Sequence, residues 1–275
     1  MTDDVQMFIP AQRLPPGFAE QLDREPDASP PARPASTVVL LRPGRTGIEV
    51  LLLRRNRSAG FVPGAWVFPG GRVDAGDADA RLFPSAGVTG APPAPWWAAA
   101  VRELFEETGV LLARDTQGEF PVTAGAPDWA ERREALLDDR ATLHDVLEPA
   151  SLRIALDRLV PCAHWITPVA EPRRFDTHFF LAALPPGATA APDPREMSDA
   201  IWLPPRDALD RFTAGRMPMV FPTVRTLESI ADSHSVDAAL DAFRGRTVRA
   251  VLPRLVRRDG GVALVVDPHA LSGGS

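Results

Sequence analysis

Nine residues, Arg102-Glu103-Leu104-Phe105-Glu106-Glu107-Thr108-Gly109-Val110, constrain this chain more than any other stretch. On a helix of about 100° per residue, with Glu103 at zero, Glu107 falls near about +40° and Glu106 near about −60°, so three carboxylates share one face. Val101, Leu104, Phe105 and Thr108 fall on the opposite side, and their burial fixes how the acidic face points. Like charges at i,i+4 repel along a helix, so a cluster of this kind calls for a cation, and hard oxygen ligands suit Mg²⁺ or Mn²⁺. The helix is expected over about Pro95 to Leu112, with the proline at its start and Gly109 near its end. A merely solvated acidic face is the plain alternative, and the upstream segment argues against it. Gly70-Gly71-Arg72-Val73-Asp74-Ala75-Gly76-Asp77 is a glycine loop followed by acids, where a phosphate chain and a metal can approach the backbone closely.

Composition removes several function classes. The 275 residues carry a formal charge of −6, and the 30 basic residues are all arginine, without lysine or tyrosine, which reads as coding bias. Arginines spread along an acidic chain make no basic stripe, so no nucleic-acid partner is expected, whereas free nucleotides remain open. Apolar runs are too short for a membrane span. The single cysteine, Cys162, excludes an internal disulfide framework and a multi-cysteine zinc site, and no basic-then-apolar stretch opens the chain, so a cytoplasmic protein is expected. His144, His164, His178, His234 and His269 show no paired metal spacing, and His178, beside Phe179-Phe180, reads as a satisfied sheet residue. Trp66, Trp96 and Trp97 read as packing residues, with stacking on a base as the alternative. Ser58 and Ser85 lack the histidine and aspartate context of a nucleophilic hydrolase.

The chain divides into a Pro-rich lead-in over residues 1–35, a main domain over 36–240 and an extension over 241–275. Thr37 to Leu41 and Ile48 to Leu53 read as a hairpin, and Ala163 to Thr167, Thr177 to Ala183 and Ala200 to Leu203 as further strands. Leucines recurring from Asp128 to Leu159 predict a mostly helical insert within 115–162. Short helices are expected at Pro205 to Phe212, Thr223 to Ile230 and Val236 to Phe243. The tail, Val248 to Leu255 and Val262 to Val266 around Arg258-Asp259-Gly260-Gly261, predicts a hairpin that either makes a homodimer contact or covers a sheet edge. Strands and helices without regular βαβ alternation give an α+β class: a mixed sheet flanked by helices, with a helical insert and a C-terminal β-hairpin.

The paired signal resembles the Nudix box, G-x5-E-x7-R-E-U-x-E-E-x-G-U, where U is aliphatic. Gly71 matches its first glycine, and residues 102–110 match every fixed position of its second half. Asp77 stands where the family has glutamate, a shorter carboxylate able to reach a metal through water. Twenty-four residues separate Asp77 from Arg102 where the family has seven. The surplus, within Ala78 to Trp97, carries Pro84, Pro92, Pro93 and Pro95 and reads as an inserted loop, which costs little entropy if its ends meet. Leu51 to Arg55 leading to Gly64 to Gly71, the long spacer, the insert ending in Trp165-Ile166-Thr167-Pro168, and Arg173 to Thr177 before a strand are similar to the divergent branch that includes the peroxisomal coenzyme A diphosphatases. The stricter coenzyme A signature is approximated only by Arg57-Ser58-Ala59-Gly60.

The resemblance implies metal-dependent hydrolysis of a diphosphate linkage in a nucleotide-linked substrate, coenzyme A or an acyl-coenzyme A among the options. It implies Glu103, Glu107 and Glu106 as ligands of Mg²⁺ or Mn²⁺, joined by Asp77, and Arg102 as the residue that orients the glutamates. The general base is Glu103 itself or an acid outside the box, for which Glu196 is the candidate. Gly70 and Gly71 would approach the substrate, and Arg54, Arg55, Arg57 and Arg174 are available for phosphate. Two other readings stay open: a domain that senses a nucleotide without cutting it, and a pyrophosphatase that clears damaged nucleoside triphosphates.

Overall fold

Strands β2 (Arg33–Gly44) and β3 (Gly47–Arg55) form the hairpin at the centre of the fold. Val38 and Leu40 point to one side and Val39 and Leu41 to the other, all fully buried, as a strand covered on both faces requires. The structure, a computed structural model, describes residues 5–11, 22, 29–57, 62–83 and 92–267. Around the hairpin the sheet runs β10 (Met197–Leu203), β3, β2, β9 (Phe175–Ala183), β8 (Val160–Ile166), β11 (Ala250–Val251). The β2/β9 and β8/β11 pairs are parallel and the other pairs antiparallel, so the sheet is mixed.

Each face of the sheet carries its own core. On one, helix α1 (Ala94–Thr108) lies with α2 (Pro127–Leu137) and α3 (Leu143–Leu147), and Val101, Leu104, Phe105, Leu136 and Val146 pack on Val38, Leu40, Leu51 and Leu53. On the other, α4 (Pro205–Thr213), α5 (Phe221–Ile230) and α6 (Val236–Asp241) bring Ala208, Leu227 and Leu240 onto Val39, Leu41, Leu52 and Trp66. This is the expected α+β arrangement.

Several boundaries differ from those expected. The tail hairpin forms from β12 (Arg254–Arg258) and β13 (Gly261–Val265), but Ala250 and Val251 leave it to pair with β8. The chain is already in the fold well before residue 35: β1 (Val5–Pro10) adds a third strand to that hairpin, and β2 begins at Arg33. Most of the remaining lead-in, Pro15-Pro16 included, lies outside the described residues, as do Ser58 to Phe61, Pro84 to Ala91 and His269. The insert is helical only in α2 and α3. Asp139 and Ser151, both at left-handed φ, break the run, which closes with a two-residue pairing of β6 (Ala113–Arg114) and β7 (Arg153–Ile154). The surplus spacer is not all loop either, because Ala80–Leu82 form a 3₁₀ turn that buries Leu82 in the core and Ala94 to Trp97 open α1. Among the described residues no helix is long and apolar enough to cross a membrane.

Candidate active site

The glycine segment reaches the helix because the central hairpin splays. β2 and β3 pair only over Leu41–Gly44 and Gly47–Val50. Beyond that point β4 (Trp66–Val67) adds to β3 and β5 (Gly70–Arg72) adds to β2 at Ala35 to Thr37, so the segment 66–72 is wedged between them. There is no room for a side chain here. A Cβ on Gly70 would run into the Ser36 carbonyl oxygen, and one on Gly71 would overlap the Glu103 carboxylate. Gly71→Ala is therefore expected to displace Glu103 and cut kcat by at least about tenfold with the fold retained, measurable by steady-state kinetics beside circular dichroism. Unchanged turnover would show that Glu103 does not need its position opposite Gly71.

Helix α1 ends sooner than expected, at Thr108, because Gly109 takes a left-handed conformation (φ 73°) and its N–H caps the Phe105 carbonyl at 2.8 Å. Further carbonyls of the last turn are also satisfied: Asp193 N–H donates to Glu107, Ala191 N–H to Thr108, and Arg133 Nε to Glu106 at 2.9 Å. The Arg133 guanidinium also suits the negative end of the helix dipole. These bonds hold the segment carrying the three glutamates.

Glu107 is buried, and its Oε2 accepts the Gly70 N–H at 2.9 Å. Arg102 occupies the centre of the acidic face. Its Nε and Nη2 donate to the two oxygens of Asp77 at 3.0 and 2.9 Å, its Nη1 reaches Glu103 Oε1 and Glu106 Oε2, both at 3.0 Å, and Nη2 also bonds the Arg72 carbonyl at 2.7 Å. Asp77, 1% exposed, is thus held by a bidentate guanidinium and by the Asp74 N–H at 2.8 Å. Both Asp77 oxygens are thus engaged by Arg102, for which Asp77 is the counter-charge.

Burial pushes the Glu103 carboxyl up to about 8, with Glu106 adding to the rise and Arg102 opposing it. Burial also raises Glu106, and raises Glu107 well above the carboxylate range, with the Glu103 charge adding to it and the Gly70 N–H opposing. Crowded carboxylates on one face, opposite a backbone that leaves no space for a Cβ, are the donor set a hard divalent cation takes. Glu103, Glu106 and Glu107 therefore fit Mg²⁺ or Mn²⁺.

The outlying candidates separate. Glu196 is exposed in the turn before β10, tied through its carbonyl to the Asn56 N–H at 2.9 Å, and close enough that its charge helps raise Glu107. Along β3, Leu51 and Leu53 face α1, so alternation puts Arg55 on the glutamate side and Arg54 on the other, where its guanidinium lies 5.9 Å from the Trp66 ring. The buried Arg55 Nε has no hydrogen-bond partner, and its charge favours the ionised form of Glu107. Arg57 is exposed just past β3. Arg174 is occupied structurally, donating to the Thr167 carbonyl at 3.1 Å and the Pro30 carbonyl at 2.9 Å. Sequence reasoning missed one group altogether: His164, Asp176 and His178 converge on the sheet.

The NUDT19 Nudix domain family model matches residues 95–230. Putative nudix hydrolase 7 of Caenorhabditis elegans is 30% identical over 228 residues, 83% of this chain and 70% of the relative. The acyl-coenzyme A diphosphatase NUDT19 of Homo sapiens is 31% identical over 76% of this chain and 66% of its own length. The crystal structure of a NUDIX hydrolase from Alicyclobacillus acidocaldarius superposes with a TM-score of 0.69 at 32% identity, over 77% of this chain and 96% of that one. The chain belongs to the Nudix hydrolase family.

Proposed function

We propose that this enzyme cuts the diphosphate linkage of a coenzyme A or acyl-coenzyme A type substrate into two monophosphate products, with Mg²⁺ or Mn²⁺ held by Glu103, Glu106 and Glu107. The observation that carries the reading is the convergence of Glu103 and Glu107 on the Gly70-Gly71 backbone. The substrate class is supported by the similarity to acyl-coenzyme A diphosphatases of Gallus gallus and Homo sapiens. A bound divalent ion supplies charge neutralisation on the diphosphate oxygens and lowers the pKa of a water. Arg102, braced by Asp77, holds Glu103 and Glu106 in place. Arg55 offers its unpartnered Nε to a phosphate oxygen. Glu103, or Glu196 at the rim, takes the proton as the water oxygen forms its bond to phosphorus and the bridging P–O bond breaks. Catalysis is assigned to residues 36–240, with 1–35 and 241–275 as support, in the cytoplasm, without nucleic acid or membrane; the tail leaves a homodimer open.

Mass spectrometry of the products tests this. Coenzyme A cleaved to phosphopantetheine and 3′,5′-ADP is the expected result. Pyrophosphate released from nucleoside triphosphates would move the enzyme to the pool-clearing reading, and tight nucleotide binding without cleavage would favour a sensor.

Metal affinity should also follow pH. The folded, metal-free protein keeps a proton on Glu103 that the unfolded chain has lost above about pH 4.5, so metal-free stability falls as pH rises towards about 8. A divalent ion must displace that proton, so the Mg²⁺-induced rise in Tm is expected to grow over the same range. A rise independent of pH would place the ion elsewhere.

A further inference from the structure

Outside the glutamate face, the described residues hold one group of side chains with the composition and spacing of a metal site. Strands β8 and β9 are antiparallel with His164 directly opposite His178, and Asp176 lies two residues along β9 on the same face. His164 Nε2 is 2.5 Å from Asp176 Oδ1, the two imidazoles stack with centroids 3.8 Å apart, and one ligand atom from each of the three residues lies within 4.8 Å of the others. His178 is only 6% exposed, and its Nδ1 is buried with no hydrogen-bond partner. A buried orphan of this kind is costly unless something fills the place.

We propose that His164, Asp176 and His178 form a second divalent-metal site, selective for a borderline ion such as Zn²⁺ or Co²⁺ and distinct from the Mg²⁺ or Mn²⁺ site. Two imidazoles and one carboxylate are the donor set of such ions, whereas the all-carboxylate helix face suits harder ones. Three protein ligands leave a coordination position open, and His164 and Asp176 are partly exposed, with side chains 15% and 34% accessible, so water or a ligand can reach it. Trp96 supplies the wall. Its ring meets His178 edge-on at 5.9 Å, its Nε1 donates to the Asp176 carbonyl at 3.4 Å, and its own carbonyl is fixed by the Ser36 hydroxyl at 2.6 Å.

The site shares one row of the sheet with the glycine turn. Gly71, Ser36, His178 and His164 are register partners across β5, β2, β9 and β8. At about 4.8 Å per strand, His178 stands about 10 Å from Gly71.

The test is metal content. Chelator-stripped protein is loaded with Zn²⁺ in excess Mg²⁺, dialysed, and measured by inductively coupled plasma mass spectrometry, with the Co²⁺ form examined by visible absorption. One retained equivalent is expected in the wild type and equally in Glu107→Gln, which separates this site from the glutamate face. His164→Gln and His178→Gln should lose it, and Asp176→Asn should weaken it at least about tenfold, with folding checked by circular dichroism. Should His178→Gln fail to fold, His164→Gln and Asp176→Asn decide. No retained Zn²⁺ in the wild type, or full retention in His164→Gln, would overturn the proposal and leave a proton between His164 and Asp176.

Discussion

Glu107→Gln is expected to lower kcat by about 10²- to 10³-fold or more while the fold persists. The amide keeps the size of the carboxylate, and its oxygen can still accept the Gly70 N–H, so the wedge between β2 and β3 stays in place. The substitution also removes a carboxyl that burial, with the Glu103 charge adding to it, makes costly to ionise. Without metal the variant should therefore melt at or above the wild-type temperature, and added Mg²⁺ should raise its Tm less. A variant with wild-type turnover would remove Glu107 from the site.

The second large effect is on stability. Arg102 neutralises Asp77 and bridges Glu103 and Glu106, so Arg102→Met leaves a carboxylate that is 1% exposed without its counter-charge. Breaking one side of a buried pair costs about 3–5 kcal/mol, which corresponds to a Tm lower by roughly 10 °C in a chain of this size. Asp77→Asn in the same chain should restore part of that loss, because the charge left unpaired is gone. Arg102→Lys should fall between, since a single ammonium cannot match the two oxygens of Asp77. Additive losses in the double variant would show that the two residues act separately.

These two residues also mark what was legible in the sequence. The acidic face of α1 follows from a 3.6-residue period, a local property, and its burial on the opposite side is as expected. Asp77 is different. Its distance from Arg102 along the chain is long, and a 3₁₀ turn over Ala75–Ala78 aims its carboxylate at the guanidinium instead of outward. Leu136, Leu143, Leu147 and Leu159 bury as their spacing predicts and Leu152 and Leu156 pack half-buried against them, yet α2 stops at Leu137 and α3 at Leu147, because Asp139 and Ser151 reverse the backbone between short elements. Strand β1 was missed since a short run ending in proline carries no period of its own and is ordered only by pairing with β13. The histidine group had no sequence signal: residues 164 and 178 become neighbours through the register of two strands.

Anomalous diffraction from a crystal soaked in Mn²⁺ and Mg²⁺-free buffer shows which side chains hold the ion. A Mn²⁺ peak bonded to oxygens of Glu103 and Glu107 opposite Gly71, lost in Glu107→Gln, is expected. A Mn²⁺ peak confined to His164, Asp176 and His178, with none on the glutamate face, would contradict it.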